Sequence, residues 1–87
     1  MPYEIIFERA ALKDAKKIKR SQLDEKVDAL LDLLSVNPWQ NPPPYEKLSG
    51  DYDGVCSRRI TLKHRLVYEV FEEERVVKII RMWSHYE

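Results

Sequence analysis

The segment Ser57-Arg58-Arg59-Ile60-Thr61-Leu62-Lys63-His64-Arg65-Leu66-Val67-Tyr68 brings three guanidinium groups into one short stretch of the chain. An arginine side chain stays charged at any physiological pH, and its planar fork of N–H donors matches the oxygens of a phosphate group. Two or three such groups on adjacent strands suggest a polyanion as ligand. Upstream lies a carboxylate, Glu46, and near the end of the chain an imidazole, His85. A carboxylate and an imidazole are the side chains best suited to taking and giving protons near neutral pH. The set therefore suits acid–base chemistry beside a bound polyanion.

Plainer readings of the same residues remain open. Paired arginines on a strand also serve as a solvated face or as salt-bridge partners. Glu46 falls in a loop-like region, where carboxylates are usually just exposed, and a histidine close to a chain end is commonly frayed. His64 reads as a turn residue. Two histidines and one cysteine without ligand spacing do not describe a metal site. No feature marks the Cys56 thiolate as stabilised, which argues against a cysteine nucleophile.

The elements that must position these groups follow from periodicity. Tyr3–Glu8 reads as a first strand. Arg9–Arg20 reads as a helix with Leu12, Ala15, Ile18 and Ala11 along its buried stripe and lysines around the other side. Ser21 is placed to cap the next helix, with Glu25 near the capping-box position. Val27, Leu30, Leu31 and Leu34 recur at i, i+3, i+4 and i+7, predicting an amphipathic helix that ends near Ser35, ahead of Asn37-Pro38. Asn37–Tyr45 holds four of the five prolines, which favours a stiff, extended surface connector over a helix or central strand. A proline-rich ligand for another domain is the alternative reading of that segment.

After the turn residues 49–54, three strands are predicted over Val55–Leu62, Arg65–Phe71 and Arg75–Ser84, joined by hairpins. Alternation places Ser57, Arg59 and Thr61 on one face and Cys56, Arg58, Ile60 and Leu62 on the other. Leu66, Tyr68 and Val70 read as the face packed on the helices, so Arg59 and Arg65 project together from the open face. Arg58 must then snorkel or pair at an edge. In the last strand Val77, Ile79, Arg81, Trp83 and His85 share a side, grouping a cation, an aromatic surface and a titratable ring.

A chain of 87 residues suits one domain spanning 1–87, small enough that an oligomer or binding partner would help its stability. Fifteen basic residues balance fifteen acidic ones, yet the bases concentrate at Lys13–Arg20 and Arg58–Arg65. A neutral sum thus conceals a basic surface. The single cysteine points to a reducing compartment. No stretch approaches the ~20 apolar residues of a membrane span, and no signal-peptide pattern opens the chain, so a cytosolic setting is expected.

Taken together, these segments resemble the YoeB/Txe branch of the RelE-like toxins of bacterial type II toxin–antitoxin systems. The resemblance rests on the early helix pair, Asn41-Pro42-Pro43-Pro44-Tyr45-Glu46-Lys47-Leu48, Gly54-Val55-Cys56-Ser57-Arg58-Arg59-Ile60, His64-Arg65-Leu66-Val67-Tyr68 and the closing Trp83-Ser84-His85-Tyr86-Glu87. It covers nearly the whole chain.

The resemblance implies an α+β fold in the order β-α-α-β-β-β, a twisted, mainly antiparallel sheet with two helices against one face. It also implies a ribosome-dependent endoribonuclease that cuts mRNA in the A site without metal or cofactor. By motif position, Glu46 is the expected general base and His85 the general acid. Arg65 is expected to stabilise charge on the phosphorane and Arg59 to bind the scissile phosphate. Tyr86 would orient the substrate or His85, and Lys47 would add a phosphate contact.

RNA carries its own nucleophile, the 2′-hydroxyl, so such chemistry needs only two proton transfers and a stabilised dianion. The expected products are a 2′,3′-cyclic phosphate and a 5′-hydroxyl. Implied partners are mRNA on the ribosome, ribosomal RNA, a cognate antitoxin of the YefM/Phd type, operator DNA through the antitoxin complex, and a second copy in a homodimer. The first helix, with its lysines, reads either as a ribosomal RNA contact or as a solvated face. Two other classes stay open: a non-catalytic toxin on the same scaffold that binds a protein target such as a topoisomerase, and a nucleic-acid-binding regulatory module.

Overall fold

Apolar alternation in the last third of the chain lays down the centre of the sheet. The computed structural model describes residues 2–48 and 54–83. Its elements run β1 (Glu4–Phe7), α1 (Arg9–Arg20), α2 (Asp24–Val36), β2 (Glu46–Lys47), β3 (Val55–Arg59), β4 (Arg65–Phe71) and β5 (Val76–Arg81). The strands form one sheet in the order β1-β5-β4-β3-β2. All neighbours are antiparallel except β1, which lies parallel to β5 with Glu4 opposite Val76 and Phe7 opposite Ile79.

The α+β architecture expected from the sequence is present, with one strand more than expected. That strand, β2, is two residues long and follows a proline run, so neither alternation nor β-propensity announces it. It adds to β3 with Glu46 opposite Ser57 and Lys47 opposite Cys56. The strands expected over Val55–Leu62 and Arg75–Ser84 are trimmed to Val55–Arg59 and Val76–Arg81, while that over Arg65–Phe71 has its expected bounds.

Both helices pack on one face of the sheet. Ala11 and Ile18 of α1 and Val27 and Leu34 of α2 meet Cys56, Leu66, Tyr68, Val70, Val77 and Ile79 in one core. Burying a side chain such as Leu34 or Leu66 stabilises the fold by about 1.5–3 kcal/mol. The stripe of α2 follows the predicted spacing, with Val27 and Leu34 buried and Leu30 and Leu31 packed against the core. That of α1 is rotated from the expected one. Leu12 is 55% exposed, whereas Asp14 is buried beside Ala11 and Ile18.

Asp14 is tolerated there because it is fully engaged. Its carboxylate accepts Arg81 Nε at 2.8 Å and the Met82 N–H at 3.0 Å. Burial by itself would raise the Asp14 pKa, but the hydrogen bonds from Arg81 and Met82 outweigh it and hold the pKa below the ordinary value. The same pairing corrects the expectation for the last strand. Val77 and Ile79 are fully buried in the core, and Arg81 is tied to α1. A bulge contributes to this. Tyr68 pairs with Ile79 but Val67 with Arg81, so Ile80 is an extra residue that interrupts simple alternation.

The junction between the helices also departs from the expected capping. Ser21 is the C-terminal cap of α1, and α2 starts after Leu23 with no side-chain cap. Gln22 takes a left-handed conformation at φ 59°. Around it the Leu23 N–H reaches Ile18 O at 3.0 Å and the Gln22 N–H reaches Lys19 O at 3.1 Å. That is a Schellman closure, with Leu23 folding back onto the core.

Two predictions follow from these contacts. Gln22→Gly relieves a left-handed side-chain penalty and should stabilise the protein by about 0.5–1 kcal/mol, read as a rise of a few degrees in Tm. The stabilisation supplied by Asp14 is present above its ordinary, unfolded pKa of 3.8 and is lost as pH falls through its lower folded pKa. Asp14→Asn should therefore cost about 1–3 kcal/mol at neutral pH. The deficit should shrink towards zero in urea melts taken at progressively lower pH below about 4.

Candidate active site

The site is built outward from β3, where consecutive residues point to opposite faces. Arg58 points to the helix side and is 1% exposed. It neither snorkels nor pairs at an edge. Its Nε donates to the Tyr68 hydroxyl at 2.9 Å, Nη1 to Pro43 O at 2.6 Å, and Nη2 to Pro38 O at 3.0 Å and Gln40 O at 2.8 Å. The guanidinium also lies 4.8 Å from the centre of the Tyr45 ring. Proline carbonyls are good acceptors in a segment short of its own N–H groups, and Arg58 collects them. Burial pushes the Tyr68 hydroxyl up to about 12, so it remains protonated and also donates to Pro38 O at 3.3 Å.

The expected connector over Asn37–Tyr45 is thus a strap held against the sheet, with Pro38 fully buried. Its start is fixed as well. Asn37 Oδ1 accepts the Trp39 N–H at 3.0 Å, and the Trp39 indole donates to Glu72. Tyr3 donates to the same carboxylate at 2.9 Å, and Arg75 donates to the Tyr3 hydroxyl at 2.8 Å. The indole and phenol hydrogen bonds hold the Glu72 pKa below its ordinary value.

The strap delivers Glu46 to the opposite face. There Pro44, Tyr45, Glu46, Ser57, Arg59 and Arg65 line a cleft of about 220 Å³. Register explains the grouping: Glu46 lies opposite Ser57, and Arg59 lies opposite Arg65 at the adjoining end of β3 and β4. Arg65 Nη1 and Glu46 Oε2 are 3.8 Å apart, with the carboxylate largely in solvent. An ion pair this loose and exposed contributes little to stability, so either partner is free to turn to a ligand. The cleft offers two guanidinium groups to an anion and a carboxylate to a proton.

Residues 5–87 match the family described as the ParE toxin of the type II toxin–antitoxin system parDE. The chain belongs to this toxin family. A curated relative, the toxin YoeB of Streptomyces coelicolor, is 31% identical over 65 residues, covering 75% of each chain. Among solved structures, the YoeB/ParE toxin from Agrobacterium tumefaciens superposes with a TM-score of 0.85 at 28% identity, covering 95% of this chain and 99% of that one. The YoeB dimer from Staphylococcus aureus superposes with a TM-score of 0.80 at 30% identity, covering 99% and 100%. The toxin is therefore of the YoeB/RelE type, within a type II toxin–antitoxin system.

Of the residues singled out from the sequence, Glu46, Arg59 and Arg65 come together in this cleft. Lys47 does not join them among the lining residues, and its ammonium lies 5.4 Å from the centre of the Trp39 ring. His85 and Tyr86 lie outside the described residues. His64 follows the turn after β3, where its ring stacks on Trp83 at 4.0 Å between centroids and its Nδ1 meets Trp83 O. The lysines of α1 are exposed, away from the core stripe. Among the described residues, no helix is long and apolar enough to cross a membrane.

Sequence reasoning put Ser57 on the same face as Arg59 but assigned it no part. It passed over Pro44 and Tyr45 as wall residues, since a proline run gives no alternation from which a facing direction can be read.

Adjacent arginines should behave oppositely on substitution. Arg58→Lys leaves several inward carbonyls without a donor and should cost at least about 3 kcal/mol, lowering Tm by more than roughly 10 °C. Arg59→Lys, at an exposed position, should stay within about 0.5 kcal/mol of the parent in the same melts.

Proposed function

We propose that this toxin is a metal-independent endoribonuclease that cuts mRNA in the ribosomal A site. The observation that carries the reading is the Glu46 carboxylate 3.8 Å from the Arg65 guanidinium, with Arg59 in the same cleft. A protein that only bound a polyanion would gain nothing from a carboxylate there, since it repels phosphate. A nuclease needs it to take a proton.

In this mechanism Glu46 removes the proton from the 2′-hydroxyl, and the freed oxygen attacks the adjacent phosphorus. Arg59 holds the phosphate, and Arg65 leaves its loose contact with Glu46 to meet the negative charge that builds in the phosphorane. The P–O5′ bond breaks as His85 gives its proton to the departing oxygen, leaving a 2′,3′-cyclic phosphate and a 5′-hydroxyl. Tyr86 orients the substrate or His85, and Lys47 adds a peripheral phosphate contact. The exposed lysines of α1 meet ribosomal RNA backbone, a contact that weakens with salt.

The partners proposed for the chain follow its relatives. One related toxin from Staphylococcus aureus is seen as a YoeB–YefM complex and another structure is a YoeB dimer. A YefM-type antitoxin is the neutralising partner here, the toxin forms a homodimer, and operator DNA is reached through the antitoxin complex. Its site of action is the cytoplasm.

Translation in a purified system, with primer extension to map cut sites, tests this. Cleavage should appear at A-site codons and persist with EDTA at levels that leave ribosomes intact. It should fall about 10²–10⁴-fold in Glu46→Ala and in His85→Gln. Full toxicity of both variants in cells, without mRNA cutting, would overturn the mechanism in favour of a toxin that binds a protein target.

A further inference from the structure

Ser57 sits in the floor of the cleft with a hydroxyl that nothing in the described protein engages. The residue is 3% exposed, and its Oγ is buried without a hydrogen-bond partner among the described residues. It is not a stray polar atom inside the core. Ser57 lines the cleft together with Glu46, Arg59 and Arg65. Register puts it directly opposite Glu46 on one side and Val67 on the other, and two residues before Arg59 on the same strand face.

A buried, unsatisfied hydroxyl weakens a fold, because the group gives up its hydrogen bonds to water and receives none in return. Val67, its fully buried neighbour across the sheet, shows that this floor accommodates an apolar side chain. A polar atom retained at such a place, and facing a cleft rimmed by two cations, is matched by an acceptor that arrives from outside.

We infer that Ser57 is a further substrate-binding residue of this cleft: its Oγ–H donates a hydrogen bond to a non-bridging oxygen of the phosphodiester gripped by Arg59 and Arg65. The inference rests on the endoribonuclease reading above and deepens it. The three donors divide the work by their mobility. Arg59 is exposed and Arg65 partly so, and both side chains reach in on flexible stems. Ser57 donates from a short, buried side chain on a central part of the sheet, so its direction is set before the substrate binds. It fixes one phosphate oxygen next to Glu46 and thereby orients the attacking 2′-oxygen in line with the leaving group. No bond to Ser57 forms or breaks.

The two roles of the hydroxyl predict effects of opposite sign. Ser57→Ala should raise Tm or leave it unchanged, while mRNA cleavage in the purified translation system falls about ten- to a hundredfold. The reporter of direct contact is an mRNA with a single phosphorothioate, Rp or Sp, at the cut position. For one isomer, sulfur should slow the parent toxin about tenfold yet add nothing to the loss in Ser57→Ala, because both changes remove the same hydrogen bond. Wild-type cleavage by Ser57→Ala, a loss that tracks a fall in Tm, or sulfur and alanine effects that multiply for both isomers would each overturn the inference alone. Failure of the parent toxin to cut mRNA would overturn the endoribonuclease reading, and this inference with it.

Discussion

The buried guanidinium of Arg58 is the joint on which the arrangement of this small toxin depends. A segment rich in proline cannot pair as a strand or coil as a helix, so it has few ways of attaching itself to a fold. Its carbonyls, however, are free acceptors. Arg58 takes three of them, adds the Tyr68 hydroxyl, and rests against the Tyr45 ring. Wrapped in this way, the strap ends in register with β3, and Glu46 comes to lie opposite Ser57. The chemistry proposed for one face of the sheet is thus positioned by a contact on the other face.

A second polar contact fixes the opposite side of the molecule. Asp14 carries a carboxylate into the apolar stripe of α1, where Arg81, the last residue of β5, and the N–H of Met82 after it receive it. The contact pins α1 to the last strand and removes Arg81 from the set of cations available to a ligand. In both cases a charged group inside the fold is matched donor for acceptor. That is the condition under which burial of polar groups becomes tolerable.

Much of this was legible in the sequence, and the parts that were not share a cause. Helix α1 follows from its composition, the stripe of α2 from Val27, Leu30, Leu31 and Leu34, and strand β4 from the alternation of Leu66, Tyr68 and Val70. The facing of Arg59 and Arg65 follows from the same alternation. What escaped are places where a polar group takes an apolar position because a distant partner meets it there. Arg58 read as snorkelling or pairing at an edge because its acceptors are mostly main-chain carbonyls, which carry no signature in side-chain identity. Leu12 read as buried, and Asp14 was not singled out, because the partner that draws Asp14 inward, Arg81, lies 67 residues away. The bulge at Ile80 and the left-handed Gln22 are likewise backbone events without a glycine to mark them.

The surroundings of Arg58 have one more consequence. Each partner described for it is neutral: three carbonyls, a phenol whose pKa has risen to about 12, and an aromatic ring. Dipoles solvate its charge without cancelling it. The positive potential of the guanidinium therefore extends through the thin sheet and adds to the field of Arg59 and Arg65 at the cleft mouth. Carried in the low-dielectric interior, that contribution is screened less by salt than one from a surface lysine. Arg58, which does not line the cleft, thereby adds to the positive potential on the face where Arg59 and Arg65 lie.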